Sequence, residues 1–268
     1  MKSESIKKLV REKYGNIAEQ SDRSGSCCGS TSCCTPQNDF SDFSESYGNR
    51  EGYNPDADLN LGCGIPTEYA GIKKGDHVLD LGSGAGNDCF VARAIVGETG
   101  KVTGLDMTAQ MVSKARKNCA KLNFENVEFI LGDIEEMPFE EKAFNIVISN
   151  CVLNLVPDKL KAFREIFRVL KPGGHFCVSD VVVKGNLPEK LQKDAEMYVG
   201  CVSGAGEISE YMNFIENSGF RNIKVHKQKE IVLPESILSE YYDDFEINSF
   251  HPGEKGIFSI TVTAERPL

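Results

Sequence analysis

The sequence predicts an α/β protein built on a doubly wound, mostly parallel sheet. Three observations carry this expectation: apolar runs alternate with helical patterns from Gly75 onward, a glycine-rich loop follows the first run, and acidic residues end successive runs. Continuous apolar strands separated by helices favour a parallel sheet covered on both faces. Right-handed crossovers make such a sheet doubly wound, and its ligands bind at the carboxyl ends of the strands.

The individual elements follow from the spacing of apolar residues. An amphipathic helix is predicted first, over residues 4–20. The core is then predicted as strands over 77–82, 101–106, 127–133, 144–150 and 173–183, with helices over 86–97, 108–122 and 160–170. The last elements are predicted as a helical stretch to about 198, a helix over 207–218, a strand near 222–232, a helical segment around 235–245 and a strand from Gly256.

Three parts of the chain differ in composition. Residues 1–70 hold the first helix and a cysteine-rich segment, and the stretch from Ser21 to about Asp58 is rich in Ser, Gly, Asn and Asp. Such a composition is typical of a mobile loop. Residues 71–206 carry the alternating strands and helices of the core, and residues 207–268 form a smaller C-terminal α+β region.

Charge and hydropathy exclude several classes of partner. A net charge of −10, with no run of Lys or Arg longer than a pair, argues against a nucleic acid or an anionic membrane surface. No apolar run approaches the roughly 20 residues that span a bilayer, and the N-terminus lacks the apolar region of a secretory signal. The expected location is the cytoplasm, where the ten cysteines are expected to be thiols.

Four of these cysteines form two adjacent pairs in "SCCGSTSCC", namely Cys27 with Cys28 and Cys33 with Cys34. Neighbouring Cα atoms are about 3.8 Å apart, below the usual disulfide range. Two interpretations remain open at this point. The segment is a flexible tail that happens to be cysteine-rich, or its thiols bind a soft ion or exchange disulfides with other thiols.

The glycine-rich loop "DLGSGAGND" (80–88) joins the first core strand to the first core helix. Backbone N–H groups at a helix N-terminus favour a charged or polar ligand. The dinucleotide fingerprint requires glycine where this chain has Asn87, so the loop departs from the NAD pattern. Asp106 and Asp133 follow Asp80 at intervals of 26 and 27 residues, at strand ends where carboxylates meet a ribose or an adenine edge. Capping of the following helix would explain any one of these three aspartates, but it explains less well why all three occur together with the glycine loop.

The stretches "DLGSGAGND", "GLD" and "GDIEEMPF" resemble those of S-adenosylmethionine-dependent methyltransferases of the seven-stranded Rossmann-like class, and "VLKPGGHF" is similar to their usual turn. The resemblance implies S-adenosylmethionine as the cofactor. The cofactor-binding residues it implies are Asp80, Gly82, Ser83, Gly84, Gly86, Asp106, Met107, Asp133, Ile134 and Asn150. In this scheme the glycines approach the methionine moiety, Asp106 holds the ribose, and Met107 and Asp133 contact the adenine.

Three cysteines lie in loop contexts near the expected cofactor. Cys63 lies between Gly62 and Gly64, which we interpret as glycines chosen for unusual backbone angles. Cys151 follows the fourth core strand, and Cys201 lies in a glycine-flanked turn. Three thiolates without a nearby histidine suit a soft centre. Structural zinc usually takes four ligands in short pairs, whereas trivalent arsenic accepts three sulfurs and keeps a lone pair. Cys89, Cys119 and Cys177 fall inside predicted elements and are interpreted as ordinary packing residues.

The whole set resembles the arsenite S-adenosylmethionine methyltransferases, through "ADLNLGCGIP", "DLGSGAGND", "SNCVLNL", "YVGCVSGA" and the cysteine-paired N-terminal segment. The resemblance implies that Cys63, Cys151 and Cys201 bind arsenite or methylarsenite as As(III). It further implies that Cys34 or its neighbour Cys33 is a redox thiol. The doubled cysteine pairs depart from a single N-terminal cysteine, so either sulfur of the second pair fits this role.

The expected reaction is an in-line displacement in which the arsenic lone pair takes the methyl group. This nucleophile carries no proton, so no general base is required, and orientation is the main contribution of the protein. A disulfide, for instance between Cys34 and Cys63, would reduce the pentavalent product, and a reductant of the glutathione or thioredoxin type would reopen it. Two alternatives remain: a methyltransferase acting on carbon, nitrogen or oxygen of a small molecule, and a metalloid-sequestering protein.

Overall fold

The computed structural model describes residues 3–23, 45–185, 204–231 and 256–268. The helices are α1 (Ser3–Arg23), α2 (Asn87–Val96), α3 (Ala109–Leu122), α4 (Lys159–Val169) and α5 (Ile208–Asn217). The strands are β1 (His77–Leu81), β2 (Lys101–Asp106), β3 (Val127–Leu131), β4 (Phe144–Asn150), β5 (Leu170–Lys184), β6 (Arg221–Ile231) and β7 (Gly256–Glu265). The helical stretches predicted up to about 198 and around 235–245 lie outside the described residues.

All seven strands form one sheet, in the order β3-β2-β1-β4-β5-β7-β6. Strands β1 to β5 pair in parallel, and β7 runs antiparallel between β5 and β6. The predicted doubly wound, mostly parallel, seven-stranded sheet is therefore confirmed. The strand order reverses between β1 and β4, and such a switch point opens a crevice at the carboxyl ends of the strands.

Helices cover both faces of this sheet and bury separate apolar cores. One face carries a cluster of aromatic residues, in which Phe163 and Phe220 pack against Phe176 at ring-centroid distances of 5.7 and 4.8 Å. The other face buries the Phe90 ring against Phe129 at 6.0 Å. Burial on both faces explains why the strands read as continuous apolar runs rather than as alternating patterns.

Several element bounds differ from the predicted ones by up to three residues, and two differences bear on the site. Strand β3 ends at Leu131, two residues early, because Asp133 leaves the parallel ladder and forms an isolated bridge with Glu136. Residues 45–58 were expected to belong to a mobile loop, yet Tyr47 and Ala57 in this stretch are only 5% and 4% exposed. The polar composition of this stretch does not indicate that its backbone packs against the sheet domain, so the sequence did not predict the burial of Tyr47.

Helix α1 lies beside the switch point. Gln110 of α3 donates a hydrogen bond from Nε2 to Glu19 of α1 at 3.4 Å. At the other end of α1, Lys7 donates a hydrogen bond to Asp133 in the loop after β3. Across the described ranges, none of the helices combines the length and the apolar character that a membrane span requires. The position of α1 instead makes it one wall of the crevice described next.

Candidate active site

A cleft lies at the carboxyl ends of β1, β2 and β4. Of the residues predicted from the sequence, those lining it are Asp80, Gly82, Ser83, Gly84, Asp106, Met107, Asp133, Ile134, Asn150 and Cys151. Cys63 and Gly86 are not lining residues, although Gly62 is. Cys201, Cys33 and Cys34 lie outside the described residues. The sheet therefore brings nearly all the predicted cofactor residues, and one of the predicted arsenic ligands, to one concave surface.

The three glycines of the loop have different roles. Gly82 has φ of +66°, and a Cβ there would lie 2.4 Å from Val152 Cγ2. Gly84 has φ of +52° and faces open space, where no atom lies within 4 Å of an added Cβ. Gly86 has φ of +101° and packs instead against the rings of Phe90 and Phe129. Only the first two glycines therefore shape the cleft, and the third starts α2.

Asp106 ties this loop to β2. Its Oδ2 accepts a hydrogen bond from Gly84 N at 2.9 Å, and its Oδ1 accepts one from Thr108 N at 2.8 Å. Burial raises the pKa of Asp106, and these backbone N–H groups oppose the shift. A carboxylate held in this way at the end of β2 presents a fixed acceptor to a ligand in the cleft.

Two further carboxyl groups lie in the cleft, and burial makes both of them harder to ionise. Burial raises the pKa of Asp80 well above its usual range, and the charge of Asp88 adds to the shift. Burial also raises the pKa of Asp88 to about 6, although hydrogen bonds from Tyr47 and Asn150 oppose this. Five aspartates and one lysine line the cleft in the described part of the chain. Such a surface favours a cationic ligand, whose charge would offset the cost of burying ionised carboxylates.

The single lysine is Lys7 of α1, which the sequence did not single out. Its Nζ lies 2.5 Å from Asp133 Oδ2 and 2.7 Å from Glu135 Oε2. The other oxygen of Asp133, Oδ1, accepts a hydrogen bond from Glu135 N at 2.9 Å. Asp133 therefore already has two protein partners, and a ligand would use a remaining lone pair. The ion pair also fastens α1 over this end of the cleft.

Ser83 supplies a direct sign that the cleft is shaped for a ligand. The residue lines the cleft, and its buried Oγ has no hydrogen-bond partner within the described part of the chain. Buried hydroxyls are normally satisfied, so such an atom requires an explanation. Together with the open space in front of Gly84 and the aspartate-rich wall, it fits a polar, cationic cofactor with hydroxyl groups.

Cys63 and Cys151 are brought together beside this cleft. They are 2% and 6% exposed and belong to the same apolar cluster. Cys63 N donates to Asn150 Oδ1 at 3.0 Å, and Asn150 is the residue directly before Cys151. Burial raises the pKa of Tyr211 well above its usual range, and Asp180, Cys63 and Cys151 add to the shift. Both thiols therefore lie near the same buried hydroxyl.

The backbone at Cys151 is strained. This residue has φ of +60°, in the left-handed region that side chains other than Gly, Asn and Asp rarely occupy. Its N–H donates to Ser179 O at 2.7 Å, which holds the conformation in place. Strain that the surrounding structure maintains is a mark of functional sites. The turn directs the residue after β4 into the cleft.

The glycines that flank Cys63 are required for space rather than for unusual backbone angles. Neither Gly62 nor Gly64 has positive φ, so the sequence-based interpretation was wrong on this point. A Cβ on Gly62 would lie 2.5 Å from Asn150 Nδ2, and one on Gly64 would lie 2.6 Å from Ser179 Oγ. The loop therefore packs its backbone directly onto the end of β4 and onto Ser179 of β5, which fixes the position of Cys63.

Sequence reasoning missed Tyr47 and Asp88, besides Lys7. Tyr47 OH donates to Asp88 Oδ1 at 2.8 Å, and burial raises the pKa of this phenol well above its usual range. An acidic residue in the first turn of α2 was visible as the last letter of "DLGSGAGND" and signals a helix start. Nothing in the local pattern around Tyr47 indicated burial.

The switch-point crevice, its glycine loop and its acidic strand ends define an S-adenosylmethionine-dependent methyltransferase. The sequence pattern of the methyltransferase-domain family matches residues 72–236. An arsenite methyltransferase of Halobacterium salinarum is 38% identical over 98% of this chain and 67% of its own length. The human arsenite methyltransferase is 42% identical over 53% of this chain and 40% of its own length.

The solved structures include a close relative. An arsenic(III) S-adenosylmethionine methyltransferase from Chlamydomonas reinhardtii matches 75% of this chain and 66% of its own, with a TM-score of 0.63 and 36% identity. The chain thus spans between 40% and 67% of the length of these relatives. Within the methyltransferases, the protein belongs to the arsenite methyltransferase family.

Proposed function

We propose that this protein transfers methyl groups from S-adenosylmethionine to trivalent arsenic, with arsenite or methylarsenite as the substrate. The observation that carries the proposal is the pairing of two buried thiols, Cys63 and Cys151, beside an aspartate-rich cleft. Soft sulfur ligands suit a thiophilic centre such as As(III). Cys201 is proposed as the third ligand on the strength of the family resemblance, since it lies outside the described residues.

The proposed role of the cleft residues is to hold and orient the cofactor. When bound, S-adenosylmethionine supplies an electrophilic methyl group on a sulfonium sulfur. Asp106 would accept hydrogen bonds from the ribose hydroxyls, Met107 would pack on the adenine, and Asp133 would face its amino group. Asp80 and Asp88 face the positive methionine end. Cys151 follows β4 at the carboxyl edge of the sheet, so arsenic held by this thiol would lie close to the cofactor. The lone pair of arsenic carries no proton, so the transfer requires no proton-accepting side chain.

The direct test is to follow arsenic species over time. The protein is incubated with arsenite, S-adenosylmethionine and a thiol, and the products are separated by chromatography. We expect methylated arsenic to accumulate in proportion to S-adenosylhomocysteine. Absence of methylated product would contradict the proposal, and arsenite binding without S-adenosylmethionine binding would favour a metalloid-sequestering protein.

The affinity for S-adenosylmethionine is expected to weaken as the pH falls through about 6. Burial raises the pKa of Asp88 to about 6. A cationic ligand binds the ionised carboxylate more tightly, so the affinity is full above that pKa and declines below it. The dissociation constant of S-adenosylmethionine is measured by calorimetric titration from about pH 7 to about pH 5. In this range the amino group of the ligand stays protonated, so its own titration does not contribute to the change.

The matched variant for this titration is Asp88→Asn, which removes the ionisable group and keeps the side chain's size. Its profile should lack the decline near pH 6, although other carboxylates still titrate. An Asp88→Asn profile that follows the wild type would show that another group is responsible.

Reduction of the pentavalent product is proposed to use Cys34 or Cys33, with a small-molecule or protein thiol as the final reductant. Two thiols supply the two electrons when they form a disulfide. The Cys33→Ser/Cys34→Ser variant should still complete a first methylation but fail to turn over repeatedly with a weak reductant. Product counted per mole of protein measures this, and repeated turnover by the variant would refute the role. A reducing compartment, the cytoplasm, suits such chemistry.

A further inference from the structure

The carboxamide of Asn150 occupies the junction between the two thiol loops. Its Oδ1 accepts the hydrogen bond from Cys63 N at 3.0 Å. Its Nδ2 lies 2.8 Å from both Gly64 O and Tyr47 OH, and 3.2 Å from Asp88 Oδ2. One side chain therefore holds the backbone on both sides of the Cys63 thiol.

The main chain of Asn150 fixes the other thiol. Asn150 ends β4 and pairs with Ser179 of β5, and Cys151 follows it in a left-handed turn. Moving the Asn150 side chain would free Cys63 N and loosen this side of the loop, which Ser259 Oγ also holds by donating to Cys63 O at 2.6 Å, while Cys151 stayed on the sheet. The spacing between the two sulfur atoms thus depends in part on this amide, which links the Cys63 loop to the end of β4.

The Asn150 carboxamide has few hydrogen-bonding groups left for a ligand. Asparagine offers two N–H donors, and Gly64 O, Tyr47 OH and Asp88 Oδ2 already compete for them. A direct hydrogen bond from Asn150 to the cofactor would break one of these contacts. Asp106 differs from Asn150 because its carboxylate is purely an acceptor, held by Gly84 N and Thr108 N, and such oxygens have further lone pairs for ligand hydroxyls.

We infer that Asn150 is a positioning residue, which sets the separation of the Cys63 and Cys151 thiols and does not bind the cofactor directly. This inference rests on the proposed function, because it assigns the two thiols to As(III). Arsenic coordination is sensitive to such spacing, since two sulfurs must reach one atom at the same time. The contribution of the amide is therefore preorganisation of the ligand pair.

Phenylarsine oxide is the probe for this inference, because its arsenic bonds to two thiolates. The full chain is used with Cys27, Cys28, Cys33 and Cys34 replaced by serine, which removes the adjacent pairs that would also bind the probe. Titration calorimetry then gives the dissociation constants of phenylarsine oxide and of S-adenosylmethionine for each variant.

Asn150→Ala is expected to weaken phenylarsine oxide binding by about 10-fold, the effect of losing partly buried hydrogen bonds that organise the site. Its affinity for S-adenosylmethionine should change by less than about 3-fold. Asn150→Asp keeps the size and the acceptor for Cys63 N but loses the N–H donors. It should also weaken the probe, while its added negative charge leaves binding of the cationic cofactor unchanged or tighter.

The matched control is Asn126→Ala. Asn126 is also partly buried, accepts from Arg93 Nε at 2.8 Å and donates to Gly97 O and Gly100 O at 2.9 and 2.8 Å, away from the cleft. It should lose stability without a change in either dissociation constant. If the Asn150→Ala protein does not fold, the isosteric Asn150→Asp variant provides the test.

Two kinds of failure are distinguishable. If the Asn150 variants bind phenylarsine oxide like the parent, or lose the cofactor instead, the positioning role is wrong although the proposed function stands. If the parent does not bind phenylarsine oxide, or Cys63→Ser and Cys151→Ser leave its binding unchanged, then the proposed As(III) site itself is wrong.

Discussion

Replacement of either Cys63 or Cys151 by serine is expected to lower the initial rate of arsenite methylation by about 100-fold, which corresponds to about 2.7 kcal/mol. Serine is nearly isosteric, so each buried position should still fold. Its hydroxyl is a hard, protonated ligand that does not replace a thiolate on As(III). The rate is measured from arsenic speciation with saturating S-adenosylmethionine, and cofactor binding is measured separately by calorimetry.

Cys119→Ser is the matched control for these variants. Cys119 is also buried, at 7% exposure, and its Sγ lies 3.5 Å from Phe124 O, a carbonyl that a serine hydroxyl can also use. This variant should methylate arsenite like the wild type. Arsenite methylation retained in both Cys63→Ser and Cys151→Ser would show that these thiols are not the arsenic ligands of the mechanism.

The sequence predicted the parallel half of the fold well, because buried strands appear as short apolar runs. The bounds of β2 and β4 agree with their predicted ranges at both ends. The place of β7 between β5 and β6 was not predictable, because the ten-residue antiparallel pairing from His175–Glu265 to Lys184–Gly256 joins distant segments. Local patterns identify a strand but not its neighbours.

The candidate site was predictable where a residue lies at a strand end. Asp106 and Cys151 follow directly from the rule that parallel strands carry ligands at their carboxyl ends. Tyr47 and Lys7 were not predictable, since each reaches the cleft from a segment whose path depends on tertiary packing. The hydrogen bond from Cys63 to Asn150 spans 87 residues and has no local signature.

Gly82→Ala is expected to be the most damaging change in the cofactor loop. The left-handed backbone at this position costs a side chain about 1–2 kcal/mol, and the clash of the new Cβ with Val152 adds about 1–3 kcal/mol. The loop cannot yield easily, because Gly82 N donates to Leu105 O at 2.7 Å. We expect a lower free energy of unfolding, measured by denaturant titration, and weaker binding of S-adenosylmethionine.

Two comparisons separate these costs. Gly71→Ala places a side chain at φ of +57° with no atom within 4 Å of its Cβ, so it measures the backbone strain alone. A double-mutant cycle of Gly82→Ala with Val152→Ala measures the clash, since the shortened side chain leaves only its Cβ, at 3.1 Å. The coupling energy should be favourable by about 1–3 kcal/mol. Independent effects of the two substitutions would mean that Gly82 is needed for its backbone conformation and not for contact with the segment after Cys151.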